Sequence, residues 1–250
     1  KGANEVRLSG FLQLDSRSFL DDKEESGQDN FILRRFQPSL EVKLGKVHSF
    51  YIMPSFATNP GILDVYVQSQ FSNAFNVRVG KFKSPFGLER LQSATALAFN
   101  ERAFPTNLAP NREIGAQIFG NILWDTTQYQ LGLFSGSVDN SAGLRNHVIS
   151  SNQSGIDFVG RFFSYPFNNI QFEFLQGLGL GVAYSYGTQQ GNPHADSANL
   201  PAFRSPGQQT IASYVNGAFA DGNRQRISPQ LYYHYGPFGI LGEYVISQQE

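Results

Sequence analysis

The stretch Val6-Arg7-Leu8-Ser9-Gly10-Phe11-Leu12-Gln13-Leu14-Asp15-Ser16-Arg17 changes character at almost every step. Val6, Leu8, Gly10, Leu12 and Leu14 fall on one parity, and Arg7, Ser9, Phe11, Gln13, Asp15 and Arg17 fall on the other. A period of two belongs to a β-strand, whose successive side chains point to opposite faces. Wound as a helix, the same residues would scatter both sets around the axis. The segment therefore predicts a strand with one apolar and one polar face, long enough for a tilted bilayer crossing of about 9–11 residues.

The pattern returns along the chain, at residues 35–44, 63–71, 76–82, 114–120, 129–135, 157–165, 178–186, 224–235 and 240–247, and more weakly at 50–56. About eleven strands are expected, each near spanning length. Short links, at residues 45–48, 72–74, 124–127 and 236–239, alternate with long ones, at 20–30, 83–112, 138–154 and 188–223. Short turns at one end and long loops at the other are the signature of an up-and-down antiparallel barrel in an outer membrane. The whole chain, 1–250, reads as one such domain, with 83–112 as a loop long enough to be functional and to fold into the lumen. Within that loop, residues 93–103 are rich in helix formers, and Pro105 and Pro110 follow as stops.

Composition agrees with a barrel. No apolar run approaches the ~18 residues of a spanning helix. With 23 Phe and 11 Tyr, aromatics are abundant enough for interfacial girdles, and 25 Gly suit bends and turns. Cysteine is absent, which removes disulfides and thiolate chemistry. The net charge of −1 hides a distribution: acidic residues gather at Asp21-Asp22-Lys23-Glu24-Glu25, while arginines lie within alternating segments. A basic channel under acidic external loops fits that split.

Parity assigns the basic residues to faces. A charge on the lipid side costs about 2–4 kcal/mol at the midplane, so alternation is informative. Arg224 and Arg226 share the polar face of their strand and predict two rungs of a ladder. Arg35, Lys43, Arg78 and Arg161 are expected on inward faces as well. Asp64, also inward, is a candidate acidic gate, or else the ion-pair partner of a lumen arginine. Lys81 and Lys83 stand at the junction of strand and loop, where they serve either the site or a solvated rim.

Several longer stretches resemble the phosphate-selective porin O/P family. They are residues 31–44 (FILRRFQPSLEVKL), 79–93 (VGKFKSPFGLERLQS), 100–115 (NERAFPTNLAPNREIG), 205–210 (SPGQQT), 220–222 (ADG) and 228–239 (SPQLYYHYGPFG). The resemblance runs from the first strand to the last residue. It implies a homotrimer of barrels of about sixteen strands, hence about five further C-terminal strands beyond those seen here. It also implies an inward third loop, an arginine ladder, and passage of phosphate or related small anions in a lipopolysaccharide-bearing outer membrane. Aligned on the constriction, Arg90 stands where the family has a lysine, Ser93 supplies one hydroxyl, and Ala94 lacks a second. Arg90 and Ser93, three apart, would share one face if the turn is helical. Arg102 and Arg112 are expected to anchor the loop.

Conduction of anions needs cations along a narrow water path, each binding enough to admit the ion and little enough to release it. Arginine suits phosphate through its two-pronged planar fork, and lysine supplies a compact charge. No enzyme chemistry is expected: the four histidines lack metal spacing, no serine sits in a nucleophile elbow, and no glycine-rich phosphate loop follows a strand. No cofactor and no nucleic-acid partner are expected. Two alternatives stay open, a general porin without ion preference and, from another class, a soluble β-sandwich that binds sugars.

Overall fold

The computed structural model describes residues 4–19, 29–57, 60–139, 155–191, 198–205 and 207–250. The acidic run at 21–25, most of the links at 20–30 and 138–154, and a smaller part of that at 188–223 lie outside them. Among the described residues the strands are β1 (Glu5–Arg17), β2 (Asn30–Leu44), β3 (His48–Ser55), β4 (Gly61–Gln70), β5 (Asn76–Lys83), β6 (Arg112–Ile122), β7 (Thr127–Phe134), β8 (Asp157–Ser164), β9 (Leu178–Gln190), β10 (Phe203–Arg204), β11 (Thr210–Ala212), β12 (Asp221–Tyr235), β13 (Phe238–Glu243) and β14 (Ile246–Gln249). Two short helices accompany them, α1 (Leu88–Leu91) and α2 (Glu173–Gln176).

All eleven expected strands form. Twelve strands make one antiparallel sheet in the order β1 to β9, then β12 and β13, with β14 also on β12. β10 and β11 form a separate small hairpin within the link between β9 and β12. The final expected strand is divided into β13 and β14, yet its register does not change: Gln230 faces Glu243 and Ile227 faces Ile246. The interruption sits opposite Pro229, whose carbonyl accepts the Tyr244 N–H at 3.2 Å. Proline has no N–H to return, so the ladder misses one bond and then resumes.

The end-to-end asymmetry holds with two exceptions. Residues 56–60 link β3 to β4 briefly at the long-loop end, and residues 165–177, with α2, make a longer link at the short-turn end. β1 on one side and β13 with β14 on the other are the free edges of the sheet among the described residues, so the barrel is not closed.

Most strands divide as parity requires, though Lys81 and Lys83 at the loop end of β5 share the parity of Val79. Along β12, Arg224, Arg226, Ser228 and Gln230 are buried while Ile227 and Leu231 are exposed. Leu8, Leu14, Val67, Val79, Leu133, Leu180 and Ile240 are likewise exposed on the opposite face from the polar set. So continuous an apolar surface marks contact with lipid or protein rather than water.

The loop between β5 and β6 covers the polar face. It touches β2 through Glu101 and β13 through Glu243. On a flat sheet those strands would lie roughly 40 Å apart at about 4.8 Å per step, so the sheet curls around the loop. The loop's anchor is apolar. Phe86 is fully buried and packs in a cluster with Phe82, Phe134, Val159 and Ala183 from the surrounding strands and Val245 from the break between β13 and β14. Phe82 meets Phe134 edge-to-face at 5.5 Å between centroids. Where the loop docks, the inward face is apolar.

Residues 93–103 do not form the expected α-helix. Helix α1 lies upstream, and only a 3-10 turn, Ala94–Ala96, falls in the predicted stretch. Isolated helices this short are not self-supporting in water. Tertiary bonds take over instead: Arg102 donates to the Glu89 and Gln92 carbonyls, Lys83 donates to Gln92, and the Glu243 carboxylate accepts the Leu88 N–H at 2.6 Å. Pro105 does not stop a helix. It lies in the first turn of a second 3-10 segment, Phe104–Leu108, where its missing N–H costs nothing.

Candidate functional site

Between the loop and strands β1 to β7 lies a cavity of about 330 Å³. Its wall carries Arg35, Arg78, Lys83, Arg102 and Arg112, against a single carboxylate, Asp64. Ser93 and Ala94 enter it from the loop. Of the residues expected at the site, the structure brings together Arg35, Asp64, Arg78, Lys83, Ser93, Arg102 and Arg112.

Their pairing differs. Arg112 grips both oxygens of Asp64, with Nε at 3.0 Å from Oδ1 and 3.1 Å from Oδ2. Asp64 is thus an ion-pair partner, the plainer of its two expected roles. Arg35 bonds the Glu101 carboxylate at 3.0 Å. Arg78 donates to the Gln68 side chain and stacks over Tyr66, its guanidinium carbon 4.5 Å from the ring centroid. Lys83 donates to the Gln92 carbonyl at 2.8 Å, and Arg102 to the same oxygen at 2.9 Å. Arg78, Lys83 and Arg102 form no ion pair among the described residues. Ser93 shares a hydrogen bond with Thr95 at 2.8 Å and caps the 3-10 turn.

Burial and the nearby Arg35 and Arg112 guanidiniums push Arg102 down to about 10. That lies well above neutral pH, so its charge persists there.

Other expected residues lie elsewhere. Arg90 and Ser93 do not share a helical face, because α1 ends at Leu91 and both Gln92 and Ser93 are extended. Arg90 instead turns into the loop, 5% exposed, where it donates to the Thr106 carbonyl at 2.5 Å. Burial, then Arg102 and Arg112, push it down to about 9. It ties the loop to itself and is not part of the cavity wall.

Lys81 stands opposite Val65 and Ile114 on the apolar parity of β5, and its ammonium meets the Ile62 carbonyl at 3.0 Å. Lys43 sits at the short-turn end, paired with Glu5 at 3.2 Å.

Arg224 and Arg226 do point inward, as parity requires, but they are 1% exposed. Arg224 bonds Asp157 at 3.2 Å and the Ser137 carbonyl at 2.7 Å, and Arg226 pairs with Asp139. They bind the segment after β7 to the wall rather than presenting free charge. Burying a cation without a partner is costly, and these carboxylates are what make the burial possible.

Arg161 lines a second cavity, of about 430 Å³, on the other side of α1, with Gln128, Phe163, Tyr165 and Tyr232. It donates to Gln230 at 2.9 Å and lies 4.7 Å from the Phe163 ring centroid.

Two residues escaped the sequence reading. The register between β1 and β2 shifts after Gln13, leaving Arg34 as a bulge between Leu33 and Arg35. Consecutive arginines thereby reach the same carboxylate, Glu101, which both clamp. The adjacent pair Arg34-Arg35 within an alternating strand was the available signal, since alternation cannot place both inward without a bulge.

The model of the family described as "Phosphate-selective porin O and P" matches residues 6–249. The chain belongs to that family. It is an outer-membrane porin, a β-strand channel protein, and its apolar outer face is the face that meets lipid. No curated protein matches it in sequence. Among solved structures it is similar to the "outer membrane channel DcaP of Acinetobacter baumannii", at 10% identity over 98% of this chain and 79% of that one, with a TM-score of 0.48.

Proposed function

We propose that this porin passes small anions, phosphate and pyrophosphate among them, by passive diffusion past the cavity beneath its inward loop. The observation that carries the reading is the cavity wall, with four guanidiniums to one carboxylate. Arg78 and Arg102 supply the working charge because neither forms an ion pair among the described residues. Guanidinium forks give paired hydrogen bonds to an oxyanion. The family's name supports phosphate as a substrate. By resemblance, the assembly is a homotrimer in a lipopolysaccharide-bearing membrane.

A general porin of the same fold is the competing reading. What favours it is neutralisation: Arg224 and Arg226 are matched by Asp139 and Asp157, and Arg35 by Glu101.

Phosphate block of chloride current in planar bilayers separates the two. Removing a hydrogen bond to a charged group costs about 1.5 kcal/mol, roughly tenfold in affinity. Arg78→Ala and Arg102→Ala are each expected to raise the half-blocking phosphate concentration by that order. Unaltered block in both variants would favour the general porin.

A further inference from the structure

The cavity also carries ring surface that inorganic phosphate cannot use. Interleaved with the cations are Phe11, Tyr51, Met53, Tyr66 and Phe82. Tyr51 and Tyr66 stack at 5.2 Å between centroids, with planes 24° apart. Tyr66 meets Phe82 edge-on at 5.9 Å. The Arg78 guanidinium lies between these surfaces, 4.5 Å from the Tyr66 ring centroid and 5.3 Å from that of Phe82.

A phosphate ion is hydrophilic on every side and gains nothing from ring surface. A water path lined for it alone would carry donors all round. Apolar surface left against water is unfavourable in proportion to its area, and an apolar ligand body relieves that cost. Aromatic rings also prefer stacked or edge-on partners, and Tyr51, stacked on Tyr66 by one face, offers such a surface with the rest of its ring. The volume falls at the lower end of small-molecule sites, which begin at about 300 Å³.

We infer that the cavity is a binding station for small carboxylates with an aromatic or similarly apolar body, the carboxylate held by a guanidinium of the wall and the ring laid against Tyr51. This rests on the anion-channel reading above and adds a substrate class to it. The plainer account of the rings is that they only position Arg78. Tyr51 separates the two accounts, because its ring contact is with Tyr66 and it makes no cation–π contact with Arg78.

The test compares benzoate with acetate, which share charge and head group and differ in the ring. Each is titrated as a blocker of chloride current through the full chain in planar bilayers. Benzoate is expected to half-block at a concentration about tenfold below that of acetate, as ring packing of this kind allows. In Tyr51→Ala the ratio of the two should fall towards one, and in Tyr51→Phe it should be retained. Equal block by benzoate and acetate in the unaltered protein overturns the inference while the anion channel stands. A ratio that survives in Tyr51→Ala overturns the assignment of the ring wall. If neither carboxylate nor phosphate blocks and the reversal potential shows no anion preference, the channel reading itself fails, and this inference with it.

Discussion

Asp64 shows how much a single partner changes a residue's meaning. It is the only carboxylate on the cavity wall, and Arg112 holds both its oxygens. In Asp64→Asn one negative charge leaves a wall of four guanidiniums, and Arg112 is released to the water path. The reversal potential in a potassium chloride gradient is expected to move further towards that of chloride; a move towards potassium would contradict the assignment. Gly187 is a second such point. A Cβ there would lie 1.9 Å from an oxygen of Asp157, the carboxylate that bonds Arg224. Overpacking of this kind costs about 1–3 kcal/mol, so Gly187→Ala should unfold at lower temperature in detergent, with a loss of that order. Parity assigns Arg224 and Arg226 to the inward face, and the structure buries both. Their partners were illegible because Asp139 and Asp157 arrive from a distant loop and strand, and spacing along one strand carries no information about what crosses the lumen.

At the level of elements, the inward loop is held by two unlike devices. Phe86 is an apolar plug among side chains from several strands, and Glu101 is an ionic latch on the bulge at Arg34 and Arg35. Truncating a buried phenylalanine costs about 3–5 kcal/mol, so Phe86→Ala should loosen the loop, raise single-channel conductance and expose residues 84–111 to protease. Glu101→Gln should raise conductance through the latch alone, leaving the apolar plug in place. Conductance unaltered in both variants would mean that the loop does not limit flow. The loop's existence and bounds were readable from its length between two alternating segments. Its internal structure was not. Helix propensity over 93–103 is a weak preference, and it lost to carbonyls claimed by Lys83 and Arg102 and to a turn capped by Ser93. The same competition moved Arg90 out of the site, since the face it shares with Ser93 exists only if the turn stays helical.

Across the whole molecule, the alternation that begins at Val6 organises everything else. Every strand it predicted forms, because a two-faced strand can satisfy lipid on one side and water on the other in only one register. The inward face does not carry a uniform ladder of charge. It holds an apolar dock around Phe86, a neutralised cluster around Arg224 and Arg226, and one cavity where cations outnumber carboxylates. Alternation assigns sides but does not pair them, so the basic face was legible and its division into paired and unpaired charge was not. The central claim is that this unpaired charge makes the porin prefer anions. Its most direct test is the zero-current potential of the unmodified protein in a planar bilayer separating unequal potassium chloride solutions. The account predicts a potential of the sign set by chloride, with chloride clearly more permeant than potassium. A potential near zero, or of the sign set by potassium, would contradict it.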